Sequence, residues 1–171
     1  MNRLFVATWL PAQIHDLLDT IPADHRRHLR KTNDVRWVER HRRHVTLWFL
    51  GDADAAPVAR ALESMRFKPV IASVGPGLTR LGPSALVVPV AGLDGLAMTV
   101  QGATRALGVT DTAGRGFVGH VTVGRVRRNA SPALQPFELS AQFEVAQIDL
   151  VASVPSPDGS AYRTIGTFAA S

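Results

Sequence analysis

Cysteine is missing altogether from the 171 residues. Disulfides, thiolate ligands and cysteine nucleophiles are therefore excluded, and cysteine usage carries no information about the redox compartment. Long apolar runs are missing too, since no stretch approaches the roughly 20 residues of a membrane span. The opening MNRLFVATWLPAQ has too short an apolar part and no small-residue cleavage site, so it is expected to form a first strand rather than a secretory leader. There is no Gly-x-Ser-x-Gly elbow to support serine-hydrolase chemistry. The Gly-rich stretch GPGLTRLGPS lacks the Gly-Lys-Ser/Thr ending of a phosphate-binding loop and reads as turns. With 46% hydrophobic and 19% charged residues, the composition is that of a soluble globular protein. The expectation is one domain spanning residues 1–171, cytoplasmic and monomeric, with no membrane partner and no cofactor.

Acidic residues are also in short supply, 14 against 19 Lys and Arg, giving a net charge of +5. The excess is local. Residues 26–43 hold eight Lys and Arg (Arg26, Arg27, Arg30, Lys31, Arg36, Arg40, Arg42 and Arg43) against Asp34 and Glu39, a larger surplus than that of the whole chain. A smaller group comprises Arg115, Arg125, Arg127 and Arg128. Concentrated positive charge attracts phosphates and steers anionic ligands.

What the chain does have is one tripeptide twice. His44-Val45-Thr46 and His120-Val121-Thr122 each open a run rich in β-branched and apolar residues, HVTLWFL and HVTVGRV, and each lies beside a basic group. Side chains two apart on a strand share a face. His44 and Thr46 should therefore face one way and Val45 and Leu47 the other, with the same division at His120, Thr122, Val121 and Val123. By this parity Trp48 shares the face of His44, where it could stack a base or cover the strand end. Phe49 shares the face of Leu47, and it and Trp37 are expected in the core. Arg125 lies at an odd offset from His120, so a regular strand would turn it away from His120 unless a bulge re-aims it.

The remaining pattern predicts strands at Arg3–Thr8, Val35–Val38, His44–Leu50, Lys68–Val74, Ala85–Val90, His120–Val126, Val145–Val154 and Tyr162–Phe168. Helical spacing recurs after Pro11, over Asp54–Met65 and over Leu93–Leu107, while 24–34 and 75–84 read as loop and turns and 129–142 is hard to assign. Few helices among many strands favour an α+β fold. Two similar lobes of antiparallel sheet are expected, related by a pseudo-twofold, with a central cleft carrying one His-x-Thr motif from each.

Two histidines facing one phosphate can perform acid–base catalysis without metal, one imidazole accepting a proton and one imidazolium donating one. Thr46 and Thr122 can hydrogen-bond the non-bridging oxygens. Metal ligation at His41 and His44 is disfavoured by their arginine-rich surroundings. His15, His25 and His28 lack a paired motif and read as surface residues.

The chain resembles the two-histidine (2H) phosphoesterase superfamily, and within it the RNA 2′,3′-cyclic phosphodiesterases once called 2′-5′ RNA ligases. The resemblance rests on RLFVATWLP, VRWVERHRRHVTLWFLGD, GFVGHVTVGRVR and YRTIGTFA. His44 to Gly51 fits the first motif at every fixed position. The second motif departs at Gly119, where the family usually has Pro, and at Val123-Gly124, where it usually has Leu-Ala. The resemblance implies hydrolysis of 2′,3′-cyclic phosphate RNA ends to 2′-phosphomonoesters, with His44 as proton donor and His120 as acceptor. Arg125, Arg43 and Trp48 are candidate RNA contacts. Residue type alone does not separate the two histidine roles. It also leaves open a non-catalytic RNA-binding module, RNA ligation, or an enzyme for 2′-5′ oligonucleotides or small cyclic nucleotides.

Overall fold

A computed structural model describes residues 3–21, 35–107, 116–127, 130, 138–157 and 159–171. Among these residues are ten strands: β1 (Arg3–Trp9), β2 (Val35–Trp37), β3 (His44–Asp52), β4 (Val70–Val74), β5 (Thr79–Leu81), β6 (Ala85–Ala91), β7 (His120–Val126), β8 (Ala141–Val145), β9 (Gln147–Ser156) and β10 (Gly159–Ala169). Three α-helices accompany them: α1 (Ala12–Asp19), α2 (Ala55–Ser64) and α3 (Asp94–Thr104). The predicted loop at 24–34 and the histidines His25 and His28 lie outside the described residues.

All the strand pairings are antiparallel, in the order β10-β9-β1-β3-β7-β6-β4-β8, with β2 also on β7 and β5 on β6. The two motif strands meet at the centre, and on either side of that junction lie three further strands. The α+β class expected from the sequence is the class observed. The turn-like segment 75–84 contains β5, and β8 begins at the end of the segment that resisted assignment.

The helices cover one face of the sheet. α1 buries Ile14 and Leu18, α2 buries Val58 and Leu62, and α3 buries Leu96, Ala97 and Val100. These join Leu4, Val6, Val45, Val121, Val123 and Leu150 in the main core. The α2 start is capped by Asp54, whose carboxylate accepts from the Ala56 amide at 3.2 Å. On the opposite face Phe5, Ala7 and Val151 form a small second cluster with Trp9 and Tyr162 packed against it. That face bears the cleft.

Candidate active site

The β3–β7 junction rests on one register pair, Val45 opposite Val121, both fully buried in the core. Continued by one residue in each direction, this register sets His44 across from Thr122 and Thr46 across from His120. Opposed residues have Cα atoms about 5 Å apart, and two residues along a strand span about 7 Å. The four motif side chains thus occupy the corners of a small rectangle, with a histidine and a threonine on each strand. All four line a cleft of about 1390 Å³.

Both imidazoles are held the same way. His44 Nδ1 lies 2.9 Å from the Arg42 carbonyl oxygen and His120 Nδ1 lies 2.6 Å from that of Val118, in each case two residues upstream. A carbonyl can only accept, so Nδ1 carries the hydrogen in both rings and Nε2 is left to act on a ligand.

Their surroundings differ. His44 stacks on Phe5 at 5.1 Å, and the edges of Tyr162 and Trp9 approach at 5.1 and 5.4 Å. Burial in this cage lowers the His44 pKa to about 4, against the Arg42 carbonyl, which favours the charged ring. Repulsion from His120, Arg125 and Arg42 adds to the lowering. His44 is therefore neutral at pH 7 when the cleft is empty.

Each motif strand carries a bulge at the third residue after its histidine. On β3 the partner register passes from Ala7–Thr46 to Val6–Trp48 and skips Leu47. On β7 it passes from Val87–Thr122 to Leu86–Gly124 and skips Val123. Two successive residues then face the core, and the alternation beyond is reversed. The consequence on β7 is that Arg125 shares the face of His120 and lines the cleft, exposed.

On β3 the same inversion corrects two expectations. Trp48 does not share the cleft with His44, because it packs against the main core. Phe49, expected in the core, is 60% exposed, lines the cleft and has its ring 6.0 Å from that of Phe5. Phe49 and Arg125 hold the same place, five residues after their histidines. Trp37 packs against the core as expected and also borders the cleft. His15, read as a surface residue, is half-buried.

Arg43, a candidate RNA contact in the sequence, does not line the cleft. It is 7% exposed, donates from Nη1 to Asp19 Oδ1 at 2.9 Å and from Nε to the Val38 carbonyl at 3.0 Å, and so ties the start of β3 to α1. Burial would raise the Asp19 pKa, but hydrogen bonds from Arg43 and Arg40 outweigh it and hold the carboxyl below its ordinary value. The neighbour of Arg43, Arg42, does border the cleft, with its guanidinium 5.7 Å from the Tyr162 ring centre.

The two glycines among the departures of the second motif stand where an added side chain would clash. A Cβ on Gly119 would stand 2.1 Å from the Val90 carbonyl oxygen, because the segment before His120 runs against β6, with the Val90 amide donating to the Gly119 carbonyl at 2.9 Å. A Cβ on Gly124 would stand 2.9 Å from Val35 Cγ1.

Among the described residues no three His, Asp or Glu side chains gather as metal ligands would. No helix among them is long and apolar enough to cross a membrane.

The fold is that of the two-histidine phosphoesterases and 2′-5′ RNA ligases. Solved structures that share it include TT0787 of Thermus thermophilus, with 23% identity and a TM-score of 0.79 over 98% of this chain and 97% of that one. E. coli LigT in its apo form gives 22% identity and a TM-score of 0.77 over 99% and 98%. The PDE domain of MHV ns2 is more distant, with 19% identity and a TM-score of 0.59 over 89% of this chain and 99% of that one. No protein-family model and no curated protein matches the chain in sequence.

Proposed function

We propose that the protein is a metal-independent RNA 2′,3′-cyclic phosphodiesterase whose catalytic pair is His44 and His120. The observation that carries this reading is the shared tethering of the two motif histidines. Each Nδ1–H is spent on a backbone carbonyl, leaving two Nε2 atoms and two threonine hydroxyls to converge on one cleft. A cyclic phosphate fits this set. The hydroxyls of Thr46 and Thr122 donate to its non-bridging oxygens, where negative charge accumulates. Neighbours with this fold support the reading, since one is solved as a phosphoesterase and LigT is solved with 3′-AMP and with phosphate.

In the proposed reaction, neutral His120 Nε2 takes a proton from water as its oxygen attacks phosphorus. The bond from phosphorus to O3′ breaks, and protonated His44 gives its Nε2 proton to that oxygen. The 2′-phosphomonoester remains. His44 is neutral in the empty cleft, so this assignment requires it to gain a proton as the anionic substrate arrives, when a nearby negative charge raises the pKa that burial depresses. Proton exchange with solvent resets the pair after release.

The test is a short RNA with a 2′,3′-cyclic phosphate end, incubated with the protein and a chelator, with the product phosphate located against 2′ and 3′ standards. A 2′-phosphate product is expected, and both His44→Ala and His120→Ala should lower its rate by several orders of magnitude. Undiminished turnover in both variants would remove the pair from the mechanism. Loss of activity with chelator would overturn its metal independence. Tight binding of an RNA that stays intact would mean a binding module instead.

A further inference from the structure

Further along the cleft, register fixes a second arrangement of charge. β2 lies on β7 with Arg36 directly opposite Arg125, between the pairs Val35–Val126 and Trp37–Gly124. The flanking residues turn inward: Val35 and Val126 are buried in the main core and Trp37 packs against it. The two arginines turn outward, are exposed and line the cleft. Like charges directly opposed weaken a ladder, a cost that an anion bound between them would offset.

Each guanidinium presents a planar fork of donors suited to two phosphate oxygens. The pair stands about 10 Å along β7 from Thr122 on the same face, with the length of the side chains reducing the gap. In an RNA whose cyclic end occupies the histidine–threonine rectangle, the nearest other anionic group is the phosphodiester on the 5′ side of the terminal nucleoside.

We propose that Arg36 and Arg125 form a second anion subsite that holds this phosphodiester of a single-stranded RNA. The inference rests on the proposed function and narrows it: the preferred substrate is an oligonucleotide, not a cyclic mononucleotide. Arg36 is a specificity residue in this arrangement and touches no reacting atom.

The test uses binding of the product form, so it needs no turnover. Two dinucleotides ending in a 2′-phosphate are compared, one with an ordinary phosphodiester between its nucleosides and one with an uncharged methylphosphonate. The wild-type protein should bind the charged dinucleotide about tenfold more tightly, as for the loss of roughly 1.4 kcal/mol. Arg36→Gln should bring the ratio close to one, and Arg36→Lys should retain part of it. A wild-type ratio near one, a ratio that Arg36→Gln leaves unchanged, or an equal loss of affinity for both ligands would each overturn the subsite. A protein that shows the expected ratios yet leaves cyclic ends intact would keep the subsite and lose the hydrolytic reading.

Discussion

His44 is expected to titrate near pH 4 in the ligand-free protein, because the Phe5, Trp9 and Tyr162 cage strips water from its ring and His120, Arg125 and Arg42 oppose a further positive charge. Against an ordinary histidine value of about 6.5, the lowering corresponds to roughly 3 kcal/mol of preference for the neutral ring. The sign for stability follows from proton counting. Between about pH 4 and 6.5 the unfolded chain holds a proton on His44 that the folded chain does not, so stability rises with pH across that window. The contribution is fully present above the unfolded value and is lost as pH falls toward 4. Because acid acts on other groups of the protein as well, the measurement is a difference, comparing denaturant unfolding of wild type and His44→Asn at pH 7 and pH 4. The wild type should lose about 3 kcal/mol more than the variant. Nitrogen-15 histidine spectra would give the midpoint directly, with His44→Asn assigning the resonance. The same titration with saturating 2′-phosphonucleotide should move the midpoint upward, as proton donation by His44 requires. A free-protein midpoint at or above 6.5 would refute the cage argument, and a midpoint unmoved by the anion would refute the donor assignment.

Gly119→Ala should lower stability by about 1–3 kcal/mol and slow turnover, since the new methyl group presses on the Val90 backbone beside His120; thermal melting and steady-state kinetics check this. Arg43→Ala should cost about 2 kcal/mol by removing its charge-assisted bonds to Asp19 and Val38. RNA affinity of the folded variant should show the salt dependence of the wild type. Phe49→Ala should weaken binding of a phosphorylated nucleoside end by about 1–3 kcal/mol if a base stacks on its exposed ring. An abasic sugar phosphate should bind wild type and this variant alike, which calorimetry can compare.

Much of this was readable in the sequence, and for identifiable reasons. Alternation placed Val45, Leu47, Val121 and Val123 in the core and the four motif polar groups on the other face, because period-2 patterning is a direct image of a half-buried strand. Asp54 announced the start of α2 because a carboxylate at that point satisfies an otherwise free amide. Arg43 escaped because nothing local marks an arginine as buried; its partner Asp19 is 24 residues away on α1. β5 escaped because Gly82 and Pro83 punctuate its hairpin with β6 so densely that three strand residues read as turn.

The bulges are the instructive failure, since they inverted Trp48 and Phe49 and decided the fate of Arg125. Parity counting assumes one residue opposite one residue, and a single unpaired position moves every later side chain to the other face. No composition signal marks Leu47 or Val123 as that position. The repeated tripeptide does carry a signal. If an arginine five residues after His120 is to reach the cleft, β7 must contain an odd insertion between them. A second strand that opens on the same His-Val-Thr tripeptide and carries the same bulge puts Phe49, five after His44, on the cleft wall. The two bulges thus give one backbone device two uses: a guanidinium beside one histidine and an aromatic ring beside the other. Around that matched pair of tethered imidazoles the walls differ, aromatic at His44 and cationic at Arg125. The aromatic wall holds the His44 ring neutral, so an arriving anion is what must recharge it if it is to donate a proton.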